Sequence, residues 1–347
     1  MGRKAVIGIT NDFLDKNGKW IMPGPGLKVL DEMPNVAYKI FSEYLLEVTP
    51  EQIKDVDIVI NLSPRWTKHT LSGNEHILAV LRRGVGYDNI DIPALTKAGI
   101  MLTITPAAIR RPMAEVIMTF MLSLSRLLLK RDRLIREGRW TERPNLIGYG
   151  LEGKTLGLIG VGNIGHEVFT LAKPFGMRHI AFDPYVTQGA VSDINVELVD
   201  MDTLLAESDF LTICCLLSAE THHLIGEKEL RKMKKTSFLI NAARGPIVDE
   251  ATLIIALQER WIEGAGLDVF EEEPISPDNP LLKMDNTILT PHSMCWADRT
   301  MIGQWDELMK QVSQIIHGEI PNGLVNREVL DNPKFQSKTR NSQKSLK

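Results

Sequence analysis

Short, nearly uninterrupted apolar runs alternate with longer amphipathic stretches along most of this chain. Residues 5–10 and 57–62 are such runs, and residues 77–81 and 100–104 are shorter ones of the same kind. Between them lie turns such as Pro23-Gly24-Pro25-Gly26 and amphipathic segments such as residues 93–98. Apolar runs of this length, separated by helices, predict a parallel sheet covered on both faces. From about residue 110 the pattern becomes that of one long helix ending near Gly138. The alternation then resumes, with strands predicted at 156–159, 179–182, 210–214, 237–241, 266–269 and 288–289, and a helix over 165–175. Residues 109–291 therefore read as a second doubly wound unit. An amphipathic helix at 299–317 is too short to fold alone and is expected to return to the N-terminal part, making that domain discontinuous. The segment from Lys334, rich in Lys, Ser, Gln and Asn, is expected to be disordered.

Composition narrows the class. With 347 residues and 44% hydrophobic content there is material for two cores. A net charge of −4 offers no basic face, so neither nucleic acid nor an anionic membrane is an expected partner. The three cysteines form no CxxC pair, which fits a reduced, cytoplasmic protein. The start of the chain has no long apolar run and does not read as a signal peptide. The greasiest helix, 113–129, carries Glu115, Ser123, Ser125 and Arg126 and reads as a core or interface helix rather than a membrane span.

The candidate chemistry lies in the second unit. The strand at 156–159 feeds Gly160-Val161-Gly162-Asn163-Ile164-Gly165, and an amphipathic helix follows. In that setting Gly160 permits a tight turn, Gly162 lets the backbone approach a pyrophosphate, and Gly165 lets the helix pack on the sheet. The helix N-terminus offers free N–H groups and a partial positive charge to the phosphates. Asp183 ends the next strand, where a carboxylate accepts from the ribose diol and repels a 2′-phosphate, favouring NAD over NADP. Further on come Arg244 in Asn241-Ala242-Ala243-Arg244-Gly245, Asp268 in Leu267-Asp268-Val269-Phe270, Glu273 before Pro274, and His292 in Thr290-Pro291-His292. Reducing a 2-oxo acid requires a cation for the carboxylate and an acid for the carbonyl oxygen. Arg244 suits the first role through its bidentate fork. His292 suits the second, and Glu273 would orient the imidazole and stabilise the imidazolium. Asp268 would accept from the nicotinamide carboxamide. Singly, each residue has an ordinary reading as a turn, cap or solvated loop; their order behind a dinucleotide fold favours the catalytic one. No metal ligands are expected.

These residues resemble the D-isomer-specific 2-hydroxyacid dehydrogenase family, in particular phosphoglycerate dehydrogenase-like members without a regulatory domain. The resemblance covers about residues 56–333. It includes Arg83-Gly84-Val85-Gly86-Tyr87-Asp88-Asn89-Ile90-Asp91, Ala114-Glu115, Gly153-Lys154-Thr155-Leu156-Gly157, Asn279-Pro280-Leu281 and the motifs above. It implies an α/β fold of two doubly wound parallel-sheet domains. A Rossmann NAD domain (109–292) is inserted into a flavodoxin-like substrate domain (1–108 and 293–333), with a cleft joining them and a tail at 334–347. It also implies a homodimer formed through the helix near 113–135 and its following loop. By resemblance, Arg244 binds substrate, Glu273 pairs with His292, and His292 is the proton donor in reduction. Gly160, Gly162, Asn163, Ile164, Gly165, Asp183, Ala242 and Asp268 would hold NAD. Arg65, Gly86 and Trp296 are expected to face the substrate.

The departures bear on specificity. Cys214-Cys215-Leu216 stands where the family often has His-x-Pro, so a proline beside the nucleotide is missing. Pro106-Ala107-Ala108-Ile109 replaces the common Pro-Gly-x-Asn. Ser293-Met294-Cys295-Trp296 follows the histidine, and Trp296 either roofs the substrate pocket or packs between domains. Ser63-Pro64-Arg65-Trp66 matches the family position where backbone amides meet the substrate carboxylate. Arg65, with Arg110 or Arg111, either receives a second anionic group on the substrate or is solvated surface. The expected activity is reversible hydride transfer between NAD(H) and C2 of a small 2-hydroxy/2-oxo acid, of the 3-phosphoglycerate, glycerate/hydroxypyruvate or dicarboxylic type. The competing reading is an NAD(H)-sensing protein of the same fold with little turnover.

Overall fold

Val, Ile and Leu fill the strands, as a parallel sheet covered on both faces requires. The computed structural model describes residues 3–74 and 76–346. It divides into one unit of Met1–Ile109 with Ala297–Lys347 and another of Arg110–Trp296.

The first unit carries strands β1 (Ala5–Ile9), β2 (Val36–Ile40), β3 (Ile58–Asn61), β4 (Ala79–Arg82) and β5 (Met101–Thr103). They pair in the order β2-β1-β3-β4-β5, all parallel, as in flavodoxin-like sheets. One face is covered by the helix Asp298–Ile316, whose Trp305, Leu308 and Val312 are fully buried among Ile7, Ile9, Ile58 and Ile60. Trp305 packs edge-on against Trp20 and Phe13, and its Nε1 donates to the Gly26 carbonyl at 2.9 Å. Strand β2 is not evident in the sequence. At the sheet edge its residues beyond Val36 are only half buried, and Tyr38 and Lys39 break the apolar run.

The second unit has β6 (Thr155–Ile159), β7 (Arg178–Phe182), β8 (Glu197–Leu198), β9 (Phe210–Ile213), β10 (Phe238–Asn241), β11 (Gly264–Leu267) and β12 (Thr287–Leu289). All seven are parallel, ordered β12-β11-β10-β9-β6-β7-β8. The order reverses between β6 and β9, the crevice where a Rossmann sheet takes its ligand.

Two expectations are corrected. The helix expected from 110 to 138 is two helices, Pro106–Ser125 and Leu128–Arg136, bent by 58°. Leu127 between them is left-handed (φ 52°), a break that no glycine or proline announces. No single helix among the described residues is long and apolar enough to cross a membrane. The tail expected to be disordered is instead helical over Pro333–Leu346. Phe335 packs on the first unit's core, and Lys338 Nζ donates to the carbonyls of Ile77 and Ala98 at 3.0 and 2.7 Å. Polar composition concealed these two anchors.

Candidate active site

The glycine loop follows β6 at the switch point. Gly160 is at φ +93°, and a Cβ there would meet the Cys215 amide nitrogen at 2.9 Å. At Gly165 a Cβ would stand 2.6 Å from the Gly160 carbonyl oxygen, so only glycine lets the helix Asn163–Ala172 start so close to the strand. At Gly162 a Cβ would meet nothing within 4 Å. That residue and Asn163 are exposed, Ile164 is half buried, and no side chain caps the helix. An uncapped helix N-terminus beside open space, reached through two obligatory glycines, fits a dinucleotide pyrophosphate. The Asp183 carboxylate, at the end of β7, accepts from Val161 N and Tyr185 N, both at 2.9 Å. Those bonds fix its position and leave lone pairs for a ribose diol.

The backbone of Cys214 and Cys215 runs close past Gly160, while Leu216, at the position of the missing proline, is exposed. Burial pushes the Cys214 thiol up to about 12 and the Cys215 thiol to about 11, keeping both protonated. Each keeps some accessible surface, but the protein packed around the sulfur governs its solvation.

The remaining groups converge beyond β10, β11 and β12. Asn241 Nδ2 donates to the Arg244 carbonyl at 2.9 Å, and Asn241 Oδ1 accepts from Ala243 N at 3.0 Å, shaping the turn behind the buried Ala242. A Cβ on Gly245 would stand 1.8 Å from the Phe270 carbonyl oxygen. The turn bearing Arg244 therefore lies directly on the main chain that leads to Glu273. His292 Nδ1 is 2.7 Å from Glu273 Oε2, and Glu273 Oε1 accepts from Phe270 N at 3.0 Å. Burial would push the Glu273 carboxyl up. The His292 hydrogen bond and charge, the Phe270 amide and Arg244 outweigh burial and hold it below the usual glutamate range. With the carboxylate accepting a hydrogen bond from Nδ1–H, Nε2 is the nitrogen left to exchange a proton with a ligand.

His292 is itself left-handed (φ 48°), and Asp268 explains how that turn is held. Buried Asp268 accepts through Oδ1 from Thr290 Oγ1 at 2.6 Å, Ser293 N at 3.2 Å and Met294 N at 3.3 Å. Those contacts brace the histidine turn, a role that sequence reasoning did not assign to Asp268. Asn241 and Thr290 were also missed as clamps, although both stand inside the motifs that signalled the site. Trp296 is 48% exposed, and its main-chain N–H donates to the Ser293 carbonyl at 2.8 Å.

Arg65 and Gly86 lie in the first unit. The amides of Ser63, Arg65 and Trp66 donate to Asp12, Leu46 and Asn89, so these loop amides are already engaged. Among the described residues no acceptor meets the amides of Val85 and Gly86. Arg110 and Arg111 are paired, at 2.9 and 3.1 Å, with Glu167 on the glycine-loop helix, and Arg111 also with Glu115.

A dinucleotide crevice beside an arginine and a carboxylate-oriented imidazole defines an NAD-dependent dehydrogenase of hydroxy acids. Similarity to known proteins agrees with that class. Residues 118–293 match the family model of the D-isomer specific 2-hydroxyacid dehydrogenase NAD binding domain. The chain is 38% identical to a glyoxylate reductase of Korarchaeum cryptofilum, over 82% of this chain and 87% of that one. It is 38% identical to a D-3-phosphoglycerate dehydrogenase of Methanocaldococcus jannaschii, over 86% of this chain and 57% of that longer protein. Among solved structures, D-lactate dehydrogenase from Aquifex aeolicus complexed with NAD and lactic acid superposes with a TM-score of 0.80 at 26% identity, covering 92% of this chain and 99% of that one. The chain belongs to the D-isomer-specific 2-hydroxyacid dehydrogenase family. It is an oxidoreductase of small 2-hydroxy and 2-oxo acids with NAD as its cofactor.

Proposed function

We propose that this enzyme reduces a small 2-oxo acid of the glyoxylate or hydroxypyruvate kind, with His292 as the acid. The observation that carries the reading is the 2.7 Å pair between His292 Nδ1 and Glu273 Oε2, with Arg244 near enough to act on the same carboxylate. When bound, the nicotinamide supplies a hydride to C2 of the oxo acid or accepts one from the hydroxy acid. His292 gives its Nε2 proton to the carbonyl oxygen in reduction and takes it back in oxidation. Glu273 holds the ring and offsets the imidazolium charge. Arg244 takes the substrate carboxylate in a fork. Gly160, Gly162, Asn163, Ile164 and Gly165 hold the pyrophosphate, Asp183 the ribose, and Ala242 and Asp268 border the nicotinamide end.

The substrate class is supported by similarity to glyoxylate reductases and by the pairing of Arg110 and Arg111 with Glu167. A second anionic group on the substrate, as on 3-phosphohydroxypyruvate, would instead call on exposed Arg65. NADH oxidation measured with glyoxylate, hydroxypyruvate, phosphohydroxypyruvate, pyruvate, 2-oxoglutarate and oxaloacetate tests the proposal. Highest kcat/KM with glyoxylate or hydroxypyruvate supports it. Preference for the phosphorylated or dicarboxylic acids transfers the assignment to the Arg65 reading, and silence throughout with NADH bound points to a sensor.

A homodimer is supported by the exposed apolar side chains Leu128, Leu129, Ile135, Trp140 and Ile147, which fall within one stretch of chain. Three free cysteines fit a reducing, cytoplasmic setting.

A further inference from the structure

A second side-chain cluster lies in the NAD unit and has no part in the proposed reaction. His222 and His223 stand in a turn. Their rings come together, with centroids 4.0 Å apart and planes 33° from parallel. The chain achieves this by placing His223 in the left-handed region, at φ +51°, which is unfavourable for a residue with a Cβ. His223 N donates to the Pro246 carbonyl at 2.8 Å and fixes that turn. Opposite the rings, Glu271 Oε1 lies 2.5 Å from His223 Nε2. Glu271 is itself held by main-chain bonds, its Oε2 accepting from Glu250 N at 3.3 Å and its N donating to Glu250 Oε2 at 2.9 Å.

One ligand atom from each of His222, His223 and Glu271 lies within 4.8 Å of the other two. Two imidazoles and a carboxylate form the donor set of borderline divalent metals, zinc foremost, with a fourth position left for water. We propose that His222, His223 and Glu271 form a surface site for a zinc-class divalent cation. Zinc ligands about 2.0–2.2 Å from the ion stand roughly 3.3 Å apart in a tetrahedron. The His223–Glu271 pair therefore opens slightly and the His222 ring turns inward, both movements of exposed side chains. Occupancy ties the His222–His223 turn to the loop that continues into Glu273. The site is not evident in the sequence, because Glu271 reaches the histidines only through the fold.

Tag-free, chelator-stripped full-length protein titrated with zinc in a calorimeter tests the site. One equivalent per chain should bind, and binding should disappear in H222A/H223A. In E271Q it should weaken at least about tenfold, since even indirect supports of a metal site cost that much. Far-UV circular dichroism checks folding; H222A alone, which leaves the left-handed residue intact, substitutes if the double variant fails to fold. Cobalt in place of zinc should show no thiolate charge-transfer band. Absence of binding, undiminished affinity in the histidine variants, or a thiolate band would overturn the proposal.

Discussion

Replacing Glu273 by glutamine isolates the charge behind the proposed acid. Glutamine keeps the side-chain shape and an oxygen able to accept from Phe270 N, now 3.0 Å away, but removes the negative charge 2.7 Å from His292 Nδ1. A hydrogen bond to a charged partner contributes about 1.5–3 kcal/mol. The imidazole and carboxylate here are 44% and 36% exposed, so solvent reduces the figure to about 1–2 kcal/mol. The imidazolium is the form that gives up its proton, so this energy supports the reacting state. At about 1.4 kcal/mol per factor of ten, kcat for reduction should fall about 5- to 30-fold. NADH affinity should not change, because Glu273 is no part of the glycine loop. Steady-state NADH oxidation and fluorescence titration of NADH measure the two quantities separately. An unchanged kcat would refute the proposed role of the pair. Equal losses in kcat and NADH affinity would mean that the substitution damaged the fold instead.

Three further outcomes follow from the same geometry. Asp183→Ser should weaken NADH binding at least about tenfold and narrow the gap to NADPH, since it removes both the ribose acceptor and the repulsion of a 2′-phosphate; undiminished discrimination in fluorescence titrations would sink the assignment. Trp305→Ala should cost about 3–5 kcal/mol in chemical denaturation, through a cavity beside Phe13 and Trp20 and the loss of the bond to Gly26. The folded state holds the Glu273 carboxyl below its ordinary value, so its contribution is complete above the unfolded value of about 4.3 and is lost as pH falls through the folded one. The difference in Tm between wild type and E273Q should accordingly shrink on acidification, and a difference independent of pH would contradict the pairing.

The parts legible in the sequence are those with a local cause. Leu156 to Ile159 form a buried run, and the glycines after it are needed by main-chain approaches a few residues away. Strand β6 and the helix after the loop were therefore readable to within a few residues. The helix at Asp298–Ile316 was likewise visible, because its apolar face repeats with helical period. Elements whose cause is tertiary were hidden. Strand β2 forms because β1 offers it an edge, and the tail helix is fixed by Phe335 and Lys338 against distant chain. Arg110 and Arg111 read equally as a second-anion site or as solvated surface, and their pairing with Glu167 is set by the fold. At the site, residue types announced Arg244, Glu273 and His292. Their convergence depends on Gly245 lying against Phe270 and on Asp268 bracing the histidine turn, and no spacing reveals either.

The most direct test of the account compares wild type and His292→Ala in NADH oxidation with hydroxypyruvate or glyoxylate, alongside NADH affinity. Loss of a general acid should lower kcat by about 10²- to 10⁴-fold while NADH binds as before. A near-normal kcat in the variant would contradict the assignment of His292 as the proton donor.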